Sequence, residues 1–150
     1  MAAGQFTFYN SVAELIGDGT IDFDTHTFKL QLHTSSYTPS LSHDELADLT
    51  NEVANAVGYT TGGVTLTGIT WAQTGGVATF DSDPVVWNAS GGPITARYAI
   101  LIDTDATNDK LIGYMLLDAT PANVSATDGN SLTVTPHVSN GWFTNTVNPA

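Results

Sequence analysis

Cysteine is missing from this chain, and basic residues are nearly missing too. Without cysteine there is no disulfide, no thiolate metal site and no cysteine nucleophile. Lysine and arginine number three (Lys29, Arg97 and Lys110) against 15 aspartates and glutamates, for a formal net charge of −12. Nucleic-acid binding rests on cations that displace phosphate counterions, so this composition argues against a nucleic-acid partner. The same field disfavours an anionic membrane surface. No apolar run approaches the roughly 20 residues that span a bilayer. Residues 1–5 lack the basic and apolar regions of a secretory leader, which predicts synthesis in a cytoplasm without export by that route.

What the chain does have is paired glycine. Gly62-Gly63, Gly75-Gly76 and Gly91-Gly92 punctuate runs of valine, isoleucine, threonine and aromatic residues. Glycine pairs are cheap places for a chain to reverse. The runs between them suit a pleated, half-buried surface. With 41% hydrophobic residues over 150 positions, the chain can form one domain with its own core.

Alternation marks the strands. Phe28, Leu30 and Leu32 alternate with Lys29, Gln31 and His33, as in a half-buried strand. Val64 and Leu66 alternate, and Ile69 and Trp71 continue on the other parity. Gly68 at the change of phase predicts a bulge. Gln73-Thr74-Gly75-Gly76 predicts a hairpin turn into 77–80. Residues 94–102 end in a continuous apolar run, as in a central strand covered on both faces, and 111–117 return beside it. Leu132 and Val134 form a last core strand before Pro136. Capping-box spacings at Ser11 with Glu14 and at Ser42 with Glu45 predict short helices over 11–16 and 44–49. The tail 141–150 shows no clear periodicity. Together these predict an all-β fold: an antiparallel sandwich or jelly-roll-like barrel of about eight strands, with one or two short helices in the N-terminal half. It is read as a single domain over 1–150 with an extended N-terminal arm and a C-terminal tail.

Candidate chemistry is sparse. The loop 103–109 offers Asp103, Asp105, Asn108 and Asp109 as hard oxygen donors, but it lacks the glycine and glutamate of an EF-hand loop. Aspartate and asparagine in such loops ordinarily bond the local backbone. Asp22 with Asp24, and Asp81 with Asp83, read the same way. His26, His33, His43 and His137 show no metal-binding spacing. No Gly-x-Ser-x-Gly elbow occurs. The expectation is a protein that is not an enzyme, with no catalytic residue, cofactor or metal. Trp71 and Trp87 are expected in the core. Phe6, Phe8, Trp142 and Phe143 lie outside the periodic stretches, in the segment 2–8 and in the tail, and are the candidates for contact between subunits.

Three blocks carry a resemblance. Gly58-Tyr59-Thr60-Thr61-Gly62-Gly63 is one. The second runs from 84 to 101 and includes Trp87-Asn88-Ala89-Ser90-Gly91-Gly92-Pro93. The third is Asn108-Asp109-Lys110-Leu111-Ile112-Gly113. Over roughly residues 20–140 the chain resembles short virion structural proteins of tailed bacteriophages, most of all capsid decoration (cement) proteins. The resemblance implies a place on the outer capsid surface, the major capsid protein as partner, and self-association as a homotrimer. A tail or tail-fibre component that binds a receptor or carbohydrate is the alternative it leaves open.

Overall fold

The strand with the plainest alternation, β2 (Phe28–His33), is central in the computed structural model, which describes residues 3–147. It pairs along its whole length with β8 (Tyr98–Asp103), from Phe28↔Asp103 to His33↔Tyr98. On its other side it pairs with the short β3 (Val64–Thr65). The expected hairpin joins β8 to β9 (Lys110–Leu116), with a register shift between Leu101 and Ile102. β1 (Thr7–Phe8) lies on the far edge of β9. The sheet order is β1-β9-β8-β2-β3.

Shorter strands make up the rest. β4 (Thr70–Thr74), β5 (Val77–Asp81) and β12 (Phe143–Thr146) form a sheet in the order β12-β5-β4. β6 (Val85–Asn88) pairs with β11 (Ser131–Val134), and β7 (Ile94–Ala96) pairs with β10 (Val124–Ala126). These pairings are all antiparallel, and the architecture is an all-β sandwich. The described residues contain 12 strands, more than the alternation suggests, because several of the added ones are only two to four residues long. Between the layers Phe80 of β5 meets Phe28 of β2 at a centroid distance of 5.0 Å.

The predicted helices are present and short: α1 (Val12–Gly17) and a 3-10 turn over Leu46–Asp48. Their caps differ from expectation. Ser11 makes no side-chain cap bond. At the second turn the Asp48 carboxylate accepts the N–H groups of Asp44 and Glu45 at 2.8 and 3.2 Å.

Other departures have clear causes. β2 is buried on both faces, because Gln31 and His33 are covered as well. His33 Nδ1 bonds the Thr50 carbonyl at 2.8 Å, and its Nε2 meets Gln31 Oε1 at 3.2 Å, so the polar side chains are satisfied under a loop. Gly68 marks a break between β3 and β4, not a bulge. A Cβ there would press on the Asp83 carboxylate at 2.6 Å. The tail holds a strand, β12, whose register sets Phe143 opposite Phe80. Trp87 is buried as expected, whereas Trp71 is half-buried against Phe23.

Candidate functional site

The N-terminal segment is docked on β9. Gly4 donates its N–H to the Leu116 carbonyl at 2.8 Å, and Thr7 and Phe8 sit opposite Tyr114 and Gly113. Glycine at 113 permits this approach: a Cβ would lie 2.6 Å from both Phe6 Cζ and the Thr7 carbonyl oxygen. Gly113→Ala is therefore expected to lift β1 from the sheet, at the cost of about 1–3 kcal/mol typical of overpacking. Limited proteolysis checks this, with new cleavage between residues 3 and 10.

Docked in this way, Phe6 and Phe8 meet the tail. Phe6 stacks on Phe143 at 5.3 Å, and Phe8 meets the same ring edge-on at 4.7 Å. All four candidate interface residues, Phe6, Phe8, Trp142 and Phe143, line one groove of about 680 Å³. Val124, Leu132 and Val134 line it from β10 and β11, and Met115 and Leu117 from β9 and just beyond its end.

Their exposure is unequal. Trp142 and Phe143 retain 4% and 7%, so they are core residues of this chain that form the groove's floor. Trp142 Nε1 donates to Ser82 Oγ at 2.9 Å, which settles its one polar atom. Phe6 is half-buried, and Phe8 presents 38% of its surface. The turn 137–141 forms part of the rim, closed by His137 N–H on the Gly141 carbonyl at 3.0 Å. Val138 in that turn is 96% exposed. Ala2, at the start of the candidate N-terminal segment, and 148–150 at the end of the tail lie outside the described residues.

The groove's electrostatics set it apart. Among the described residues no aspartate, glutamate, lysine or arginine lines it, on a chain of net charge −12. The sequence carries a signal for this: residues 1–13 and 129–150 contain no charged side chain, and the fold brings these two ends together. Taking strands one at a time misses it. Leu132 and Val134 look like ordinary core alternation until the groove beside them is seen.

Several acidic groups are engaged elsewhere. In the 103–109 loop Asp103 is fully buried and points inward to His26, and Asp105 accepts the Thr27 N–H at 2.7 Å. Asp22 accepts from the backbone of Asp24 and Thr25, which holds its carboxyl below the usual carboxylate range. Asp83 accepts from Thr67. Lys110 pairs with Asp44 at 2.7 Å, which lowers the aspartate's pKa and raises the lysine's. His43 shares a hydrogen bond with Tyr37, whose hydroxyl also meets that of Tyr9, and burial pushes both phenols up. These contacts tie the loops of the sandwich to one another.

The site and fold define an acidic all-β sandwich with an uncharged aromatic groove. No protein-family model, curated protein or solved structure matches the chain.

Proposed function

We propose that this chain is a structural protein of a tailed-bacteriophage virion, a decoration protein that binds the outer capsid surface and ties neighbouring major capsid subunits together, with copies associating as trimers. The observation that carries the reading is the groove: an aromatic, charge-free surface on an otherwise acidic chain. Aromatic residues in a desolvated pocket dominate interface energies, and Phe8 is the exposed ring here. The occupant in this reading is an uncharged apolar surface of a shell subunit. Stable association needs roughly 1,600 Å² of total buried area, and repetition around the shell multiplies a modest single contact. The acidic remainder suits a surface facing away from packaged DNA, by like-charge repulsion. A carbohydrate-binding tail module would need an open aromatic platform, and the covered Trp142 favours the shell over that alternative.

The test mixes purified protein with capsids that lack it and reads occupancy by sedimentation and electron microscopy. Phe8→Glu places a charge in the groove and is expected to lower affinity at least ~30-fold, the scale of an aromatic hot spot of about 2 kcal/mol. Its melting temperature should fall only modestly, because Phe8 is partly exposed at 38% and sits on the edge strand β1. Unchanged occupancy removes the groove from the reading. Protein on the tail, or on no part of the particle, removes the shell.

A further inference from the structure

Asp103 closes β8 opposite Phe28, the first residue of β2, and its side chain is wholly buried. One carboxylate oxygen accepts the N–H groups of Asp105 and Ala106 at 3.0 and 3.2 Å, which folds the start of the β8–β9 loop around it. The other lies 2.7 Å from His26 Nδ1, on the segment leading into β2. Three further bonds join the same two segments: Thr27 N–H to Asp105 at 2.7 Å, and the Thr104 N–H and hydroxyl to the Thr27 carbonyl at 2.9 and 3.1 Å. At the far end of the loop Asn108 and Asp109 have φ of 67° and 51°, in the left-handed region. Lys110 anchors that end on Asp44.

We propose that His26 and Asp103 form a pH-controlled clasp, which holds the β8–β9 loop against the segment 21–27 in mild acid and loosens as rising pH deprotonates the histidine. This rests on geometry independent of the groove. Histidine is the side chain whose ordinary titration falls between pH 5 and 8. The titratable groups facing His26 are Asp103 at the end of β8, Asp105 in the loop and Asp22 on its own segment, all acidic. A buried carboxylate is costly without a compensating charge, and protonated His26 supplies that charge to Asp103.

The direction follows from linkage. Asp103's hydrogen bond, more than its charge and those of Asp105 and Asp22, raises the His26 pKa above its ordinary value, against the opposing effect of burial. A raised folded-state pKa gives stability that is complete below the unfolded value, about 6.5, and is lost as pH rises through the folded one. Asp22 and Asp105 have depressed values, so their contribution is present above the ordinary carboxylate range and is lost as pH falls through the folded ones. The clasp is thus tightest in the acidic window between them.

Amide exchange in the whole protein tests this, with protection of Asp105 and Ala106 followed from pH 5.5 to 9 in the parent and in His26→Asn. Asparagine keeps an N–H donor near the Nδ1 position and cannot titrate. In the parent, protection at these two amides should fall as the pH rises, relative to Ile100 in the centre of β8. In His26→Asn the ratio should stay flat. The reference amide separates clasp opening from general acidic repulsion, which moves both. Parallel profiles in the two proteins overturn the proposal. Should the variant fail to fold, the ring resonances of His26 in the parent decide: titration above the ordinary imidazole value supports the clasp, and titration at or below it overturns it.

Discussion

Phe80→Ala is expected to destabilise the fold by about 3–5 kcal/mol, the range for removing a buried aromatic ring from a core. Phe80 has no exposed surface. Its ring meets Phe23, Phe28 and Phe143 at centroid distances of 5.1, 5.0 and 5.2 Å. These partners come from the segment before β2, from β2 itself and from β12, so one ring joins both layers and the tail. The backbone adds to this: β5 pairs with β4 on one side and β12 on the other, and the Phe80 carbonyl accepts the Trp142 N–H at 2.8 Å. The cavity left by alanine cannot collapse without moving strands from both layers. In a domain of this size each kcal/mol shifts the melting temperature by roughly 2–4 °C, so the expected fall is on the order of 10 °C. Thermal unfolding followed by near-ultraviolet circular dichroism checks it. A fall within about 3 °C, less than 1–2 kcal/mol at that conversion, would show that Phe80 is not the hub of the core. The contrast with Phe8→Glu is informative, since that change is expected to lower stability only modestly and impair docking.

Tyr59→Phe is expected to cost about 1–3 kcal/mol, the penalty for leaving buried polar groups unpaired. The Tyr59 ring is 2% exposed and stacks on Trp87 at 6.3 Å, a contact that phenylalanine retains. The hydroxyl acts twice. It accepts the Leu32 N–H at 3.1 Å and donates to Glu52 Oε1 at 2.7 Å. The first bond occupies a β2 backbone group beyond the reach of β3, which pairs only with Lys29 and Leu30. The Val53 N–H takes the Leu32 carbonyl at 2.9 Å beside it. Glu52 in turn holds the Gly62 N–H at 2.6 Å, so the hydroxyl also steadies the turn before β3. Burial, together with the Glu52 hydrogen bond, pushes this phenol far above its usual range, so the variant's deficit should be constant from pH 6 to 9. Denaturant unfolding at both pH values measures it. A deficit that grows with pH would mean that the tyrosine ionises and that this network is not closed.

Local chemistry made much of the architecture legible. Gly75-Gly76 turns β4 into β5 with φ of 61° and 85°, as glycine pairs allow. The apolar run at 98–102 is a strand covered on both faces, and 111–116 returns beside it. Pro136 follows the end of β11. The groove was legible only in part. Its four aromatic residues stand out because they sit outside the periodic stretches, but nothing local shows that two of them form its floor and one its exposed edge. β12 has a single core-facing aromatic followed by Thr144, Asn145 and Thr146, so it carries no apolar alternation to read.

Composition and period by themselves determined the all-β class, the turns and the acidic character, because these depend on neighbours one to four residues apart. The tertiary structure decided which polar residues are buried and which apolar ones are left at the surface. Gln31 and His33 alternate like solvent-facing residues, yet a loop from the next segment covers them. Trp142 and Phe143 lie in a tail without periodicity, yet β5 takes them into the core. His26 and Asp103 meet across 77 positions. Burial and pairing at such separations are set by how the sheets close on one another, and no local pattern carries that information.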